Sequence, residues 1–183
     1  MKQAIFALLA TLSWSLVAAD GPNLIRNPGF EENGEWVVWG SVAGMTNEDK
    51  NLVLTCDEST AASGKRSLKI TDNWEKFSPY VVQFVPLQNP AKTYLLTFKA
   101  KAADGAEFRA GAMFNKGTAA KHEYIGGVNS ALRGTGEWKE YSVPIENLKE
   151  GTDLLAVVLA PCKWGEGNTG TVWFDDVSLT AIE

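Results

Sequence analysis

The sequence predicts an all-β domain of the sandwich or barrel kind. Short runs of strand-forming residues recur between turn signals along the chain. Several of these runs alternate apolar and polar residues with period two. No segment carries a strong helical pattern.

The elements follow in order. Residues 36–39 and 52–55 are short strand candidates. Ser67-Leu-Lys-Ile-Thr71 alternates, with Leu68 and Ile70 on one face. Residues 80–87 form a long apolar run. In residues 93–102, Tyr94, Leu96, Phe98 and Ala100 share one face, and Thr97, Lys99 and Lys101 the other. Asp104-Gly105 is a strong hairpin signal. After it, residues 107–114 place Phe108, Ala110, Ala112 and Phe114 on one face. Residues 138–145 and 154–160 follow, and the second of these runs is apolar on both faces, as a covered central strand requires. A closing strand spans residues 171–179. Loops rich in Gly, Asn, Ser and Thr fill 40–51, 115–121 and 163–170. With no linker, low-complexity tract or repeat, residues 20–183 read as a single domain.

Residues 1–19 read as a secretory signal peptide: Lys2, an apolar stretch at 5–12, and small residues at Val17-Ala18-Ala19. The expected location is therefore secreted or periplasmic. Losing Lys2 takes the formal charge from −5 to −6. A mildly acidic surface without basic clusters argues against nucleic acid and anionic membranes as partners. No later apolar run is long enough to span a bilayer, and a monomer is expected.

Two cysteines remain, Cys56 and Cys162. In an exported protein they permit one disulfide, which would stabilise by about 4–5 kcal/mol in the chain-entropy account. The alternative is two separate thiols acting as small hydrophobes. His122, the single histidine, reads as a surface residue and leaves no nitrogen-rich zinc site.

The two ends of the chain carry Asn23-Leu-Ile-Arg-Asn27-Pro28-Gly29-Phe30-Glu31 and Thr171-Val-Trp-Phe-Asp175-Asp176-Val-Ser-Leu179. Between them stand Ser63-Gly64-Lys65-Arg66-Ser67-Leu68-Lys69-Ile70, then Gln83 within 80–87. Pro90-Ala-Lys-Thr-Tyr94, Phe98-Lys-Ala-Lys101 and Gly136-Glu-Trp138-Lys-Glu-Tyr141-Ser-Val-Pro144 complete the set. In order and spacing these segments resemble the carbohydrate-binding modules of families 4, 9, 16 and 22. The resemblance implies a galactose-binding-like jelly roll: a β-sandwich of two antiparallel sheets, with a structural Ca²⁺ and a sugar-binding surface. Such modules usually accompany a glycoside hydrolase domain. An export signal followed by a module alone implies action through a separate partner, if any.

The resemblance assigns Glu31 and Asp175 to the Ca²⁺, with main-chain carbonyls near Asn23 and in the 63–65 turn completing an oxygen shell. A shared cation would satisfy acids from both ends, since an isolated buried carboxylate is costly. Glu32 and Asp176 read as solvated neighbours. Two other readings of the acids stay open: surface carboxylates without metal, or a glycosidase pair.

Sugars present flat C–H faces and a rim of hydroxyls, which exposed Trp and Tyr rings match. Trp74 and Trp164, each in a polar setting, are the platform candidates. Trp138 and Trp173 read as core, and one of Trp36 and Trp39 as packed. Arg109 should point away from the core, with Tyr124, Tyr80 and Gln83 sharing its surface. Alternation with Val81 and Val85 could equally tuck Gln83 inside.

No phosphate loop, nucleophile elbow or catalytic Cys/His spacing is present. The expectation is a non-catalytic protein that binds a polysaccharide or oligosaccharide. Its rivals are an exported structural or cell-surface interaction domain without a sugar site, and a small glycoside hydrolase using a carboxylate pair.

Overall fold

A computed structural model describes residues 21–41, 45–76, 78–165 and 167–182. The signal-peptide reading falls outside these residues. Among the described residues ten strands and one short helix follow one another: β1 (Val37–Ser41), α1 (Asn47–Val53), β2 (Leu54–Asp57), β3 (Ser67–Asp72), β4 (Ser78–Pro86), β5 (Thr93–Ala102), β6 (Glu107–Thr118), β7 (Lys121–Arg133), β8 (Lys139–Ile145), β9 (Leu154–Ala160) and β10 (Gly170–Ile182). They form two five-stranded sheets, ordered β1-β4-β9-β6-β7 and β2-β3-β10-β5-β8. Every strand pair is antiparallel. The all-β sandwich of two antiparallel sheets is thus present as expected.

Alternation builds the core between the sheets. In β5, Tyr94, Leu96, Phe98, Ala100 and Ala102 are buried while their neighbours are half-exposed. Phe98 and Phe108 each pack on Phe174, with ring centroids 5.6 and 5.8 Å apart. Each such buried ring contributes about 1.5–3 kcal/mol. All seven residues of β9 are buried, as its two-faced apolar run predicts. Its inner face meets the core. Its outer face forms a second apolar cluster of Val82, Ala156 and Val158 with Tyr80, Phe84 and Met113.

The two ends of the chain are zipped together. The Asn23 side chain donates to the Val177 carbonyl (3.1 Å) and accepts from Leu179 N (3.0 Å). Val177 N donates to the Pro28 carbonyl at 2.9 Å.

Two elements differ from the sequence reading. Residues 47–53, read as loop and strand, form a helix because Thr46 and Asp49 close a capping box. Residues 121–133, not read as a strand, form the edge strand β7. It has no clean buried–exposed alternation, so period-two reasoning finds nothing there.

The Cys56–Cys162 disulfide is not formed; both thiols are free. Cys162 Sγ donates to Asp72 Oδ2 at 3.6 Å, at one end of β3. Cys56 lies across from Leu68, four residues further along that strand, roughly 13 Å away at strand rise. That separation is too great for a bridge.

Candidate functional site

The outer face of the first sheet carries an open cleft of about 460 Å³. Its floor follows from the strand register. One row across the sheet runs Val37, Val82, Val158, Gly111, Asn129, and the next runs Phe84, Ala156, Met113, Gly127. Each row includes small residues, Gly111 in the first and Ala156 and Gly127 in the second. A side chain at Gly111 would collide with the Val128 carbonyl, so glycine keeps β6 close to β7 and the floor low. The span from β1 to β7 is about 19 Å at normal strand spacing.

Aromatic rings wall this floor. Trp39 stands directly across from Tyr80 and is 41% exposed. Trp164, 39% exposed, leans on Tyr80 with centroids 5.8 Å apart and planes at 34°. The Arg109 guanidinium lies over the Trp164 ring, 6.0 Å from its centroid. Its neighbouring bonds are to Glu107 Oε1 (2.9 Å) and Asn129 Oδ1 (3.2 Å). Burial raises the Tyr80 phenol pKa, and Tyr124 adds to it. At the opposite wall, a β-bulge between Phe114 and Asn115 interrupts the β6–β7 ladder. Beyond it the hairpin reaches across the sheet, so that His122 contacts Phe84 (5.2 Å) and Trp39 (5.8 Å). Tyr124 is 63% exposed on the same hairpin.

The loop that presents Trp164 is pinned at three points. Cys162 bonds Asp72, Gly165 N donates to Ser78 Oγ (3.1 Å), and Gly167 N donates to the Glu75 carbonyl (2.8 Å). Positive φ at Gly165 and Gly167 permits the tight path.

The structure therefore brings Trp164, Tyr80, Tyr124 and Arg109 together, as the sequence suggests. It separates two other candidates. Gln83 is buried between Val81 and Val85, where its amide pairs with both main-chain groups of Arg26 (2.8 and 2.9 Å). Trp74 is half-buried and packs against the core, away from the cleft. Of the first pair of tryptophans, Trp36 is the packed one, 5.9 Å from Phe30. Trp138 is half-buried on Thr60 rather than in the core, and Trp173 lies half-buried on the outer face of the second sheet. His122, read as a plain surface residue, lines the cleft, as do Met113 and Asn129. Outward alternation along β6 from Arg109 would have found Met113. Asn129 had no comparable signal.

Glu31 and Asp175 converge elsewhere, on the loop at 62–66. Glu31 Oε1 accepts from Lys65 N (2.8 Å) and Arg66 N (3.3 Å). A side chain at Gly64, which has φ +59°, would overlap that oxygen. Asp175 is fully buried; its Oδ2 accepts from Ala62 N (2.7 Å) and Ser63 N (3.0 Å), and Oδ1 from Asp176 N (2.8 Å). Burial raises its pKa despite these bonds. Asp176 is not a free solvated acid: it pairs with Lys99 at 2.8 Å and accepts from Ser63 Oγ at 2.6 Å. Burial would raise its pKa, but these partners hold it below the usual value. Among the described residues, no three acidic, His or Cys side chains cluster as a metal site. A cation here would use two carboxylates and main-chain carbonyls.

Among the described residues no carboxylate lines the cleft. No helix among them is long and apolar enough to cross a membrane.

Known structures share this architecture. A CBM61 module solved with β-1,4-galactotriose is 20% identical, with 88% of this chain and 99% of that one covered, at a TM-score of 0.57. A CBM22 xylan-binding domain from Paenibacillus barcinonensis Xyn10C is 17% identical, with 89% and 96% covered and a TM-score of 0.56. A CBM4 structure is 18% identical, with 85% and 98% covered and a TM-score of 0.52. No curated protein matches this sequence. The family model described as carbohydrate binding domain, of the CBM 4/9 type, matches residues 22–147, well over half of the chain. This chain belongs to that carbohydrate-binding domain family.

Proposed function

We propose that this protein binds a polysaccharide or oligosaccharide in the cleft on the outer face of its first sheet, without catalysing its cleavage. One observation carries the reading: Trp39 and Trp164 stand as exposed rings beside the half-buried Tyr80, along a floor that Gly111, Ala156 and Gly127 keep low. Such rings stack on pyranose faces, and a preformed wall spares ordering costs on binding. The cleft volume lies in the range of small-ligand sites. The lining lacks the carboxylate pair that glycoside hydrolysis needs among the described residues. That one structural neighbour was solved with β-1,4-galactotriose and another is a xylan-binding domain supports a plant- or microbial-type polysaccharide as the ligand. Export and a role beside a separate glycoside hydrolase complete the proposal.

We also propose a structural Ca²⁺ between Glu31 and Asp175. The donor set fits in kind: hard oxygen ligands from two carboxylates, one from each end of the chain, that converge on the 62–66 loop. Asp175 is buried and its main-chain partners do not fully offset that burial, which leaves a deficit a cation would fill. When bound, the ion would supply positive charge that ties the first and last segments to the 62–66 loop.

The test of sugar binding is a calorimetric screen against xylohexaose, cellohexaose, laminarihexaose and β-1,4-galactotriose. Saturable binding of at least one supports the reading. No binding to any, in the presence of Ca²⁺, would hand the fold to the interaction-domain rival.

A further inference from the structure

The floor of the cleft holds a donor with nothing to donate to. Asn129 Nδ2 is buried and has no hydrogen-bond partner. A buried amide N–H left unpaired is costly, and native structures rarely tolerate one without a reason. Asn129 lines the cleft and stands across from Gly111, a position with no side chain to cover it.

The orientation of this amide is fixed by chemistry. Arg109 Nη1 lies 3.2 Å from Asn129 Oδ1. A guanidinium only donates, so the amide oxygen must face it and the NH₂ must turn the other way. Arg109 sits one diagonal step from Asn129 in the β6–β7 register. Its second terminal nitrogen is held by Glu107 Oε1 at 2.9 Å, two residues along the same face. The ring of Trp164 covers the guanidinium from the side. Glu107, Arg109 and Asn129 thus form a relay that holds the Asn129 amide oxygen toward Arg109 and its NH₂ away from it, in a side chain that lines the cleft.

We propose that Asn129 is the residue that selects the bound glycan's oxygen pattern, and that Arg109 and Glu107 are positioning residues acting through it. The inference rests on the carbohydrate-binding reading of the cleft. The aromatic walls accept any flat sugar face. Asn129 requires a ligand oxygen at one place on the floor: a hydroxyl, ring or carbonyl oxygen offering a lone pair. Each terminal nitrogen of Arg109 gives an N–H to Asn129 or Glu107, and Nε is buried without a partner, so these bonds fix the guanidinium against Asn129 and Arg109 acts by holding that amide in place.

The experiment uses whichever of the four soluble oligosaccharides above binds the parent. Asn129→Asp keeps the shape and the Arg109 contact but replaces the donor with an acceptor. It should bind roughly tenfold to hundredfold more weakly, with the melting temperature little changed. Asn129→Ala should fall in the same range and serves if the aspartate variant folds poorly. Arg109→Met should weaken binding, Arg109→Lys should restore part of it, and the methionine effect should shrink when Asn129 is already alanine. A merely structural arginine would show the same loss in both backgrounds. Parent-like binding by both Asn129 variants, or an Arg109→Met effect independent of Asn129, overturns this inference alone. A parent that binds none of the four sugars overturns the cleft reading and this inference with it.

Discussion

Cys162 Sγ lies 3.6 Å from Asp72 Oδ2, and this contact ties the loop bearing Trp164 to the end of β3. Both side chains are buried. Burial raises the Asp72 pKa, opposed by bonds from Trp74 N and the thiol. Burial, with the Asp72 charge beside it, pushes the Cys162 thiol up to about 12.

A pH dependence follows from Asp72. Its folded pKa exceeds the unfolded value of 3.8, so the folded state holds the proton more tightly. The stabilisation is complete below pH 3.8 and is lost as pH rises through the folded pKa. Asp72→Asn should remove this slope. Melting curves from acid to neutral pH should show the parent losing stability relative to the variant; parallel curves would refute the assignment.

The thiols should differ in reactivity. Cys56 is half-exposed and Cys162 is buried with a raised pKa. At neutral pH a thiol reagent should label Cys56 first and reach Cys162 only on unfolding. The denatured, unreduced protein should titrate two thiols. Finding none there would restore the disulfide and contradict the fold.

Chelation should lower the melting temperature if Glu31 and Asp175 hold Ca²⁺, and added Ca²⁺ should raise it with concentration. Sugar binding should survive chelation in folded protein, because Asp175 belongs to the second sheet and the cleft to the first. No change in melting and no calcium by elemental analysis would leave main-chain amides, those of 62–66 and of Asp176, as the partners of these acids.

Much of this was legible in the sequence, for reasons that particular residues show. Alternation in 93–102 and 107–114 placed Phe98 and Phe108 inside and Arg109 outside, because one face of each strand is buried. Trp164 stood out by its polar surroundings. The same argument failed for Trp74: its neighbours are exposed, yet its own ring turns inward onto the core. Local polarity reports where the backbone runs, not where a ring points. Gln83 faces inward, as its alternation with Val81 and Val85 allowed, and its amide is satisfied by two hydrogen bonds to Arg26 that no spacing reveals. Asn129 was invisible because β7, an edge strand with exposed residues throughout, carries no period. Trp173 reads as core from its place in the closing strand, but its position between Lys69 and Lys101 in the register puts it on the outer face.

The central claim is tested most directly by titrating one responsive glycan into the parent, Trp164→Ala and Trp74→Ala, with a thermal melt of each. Trp164→Ala should bind roughly tenfold to hundredfold more weakly, a loss of about 1–3 kcal/mol, and melt near the parent. Trp74→Ala should melt lower and, while folded, bind as the parent does. Parent-like affinity in Trp164→Ala, or selective loss of affinity in Trp74→Ala, would contradict a binding cleft on the outer face of the first sheet.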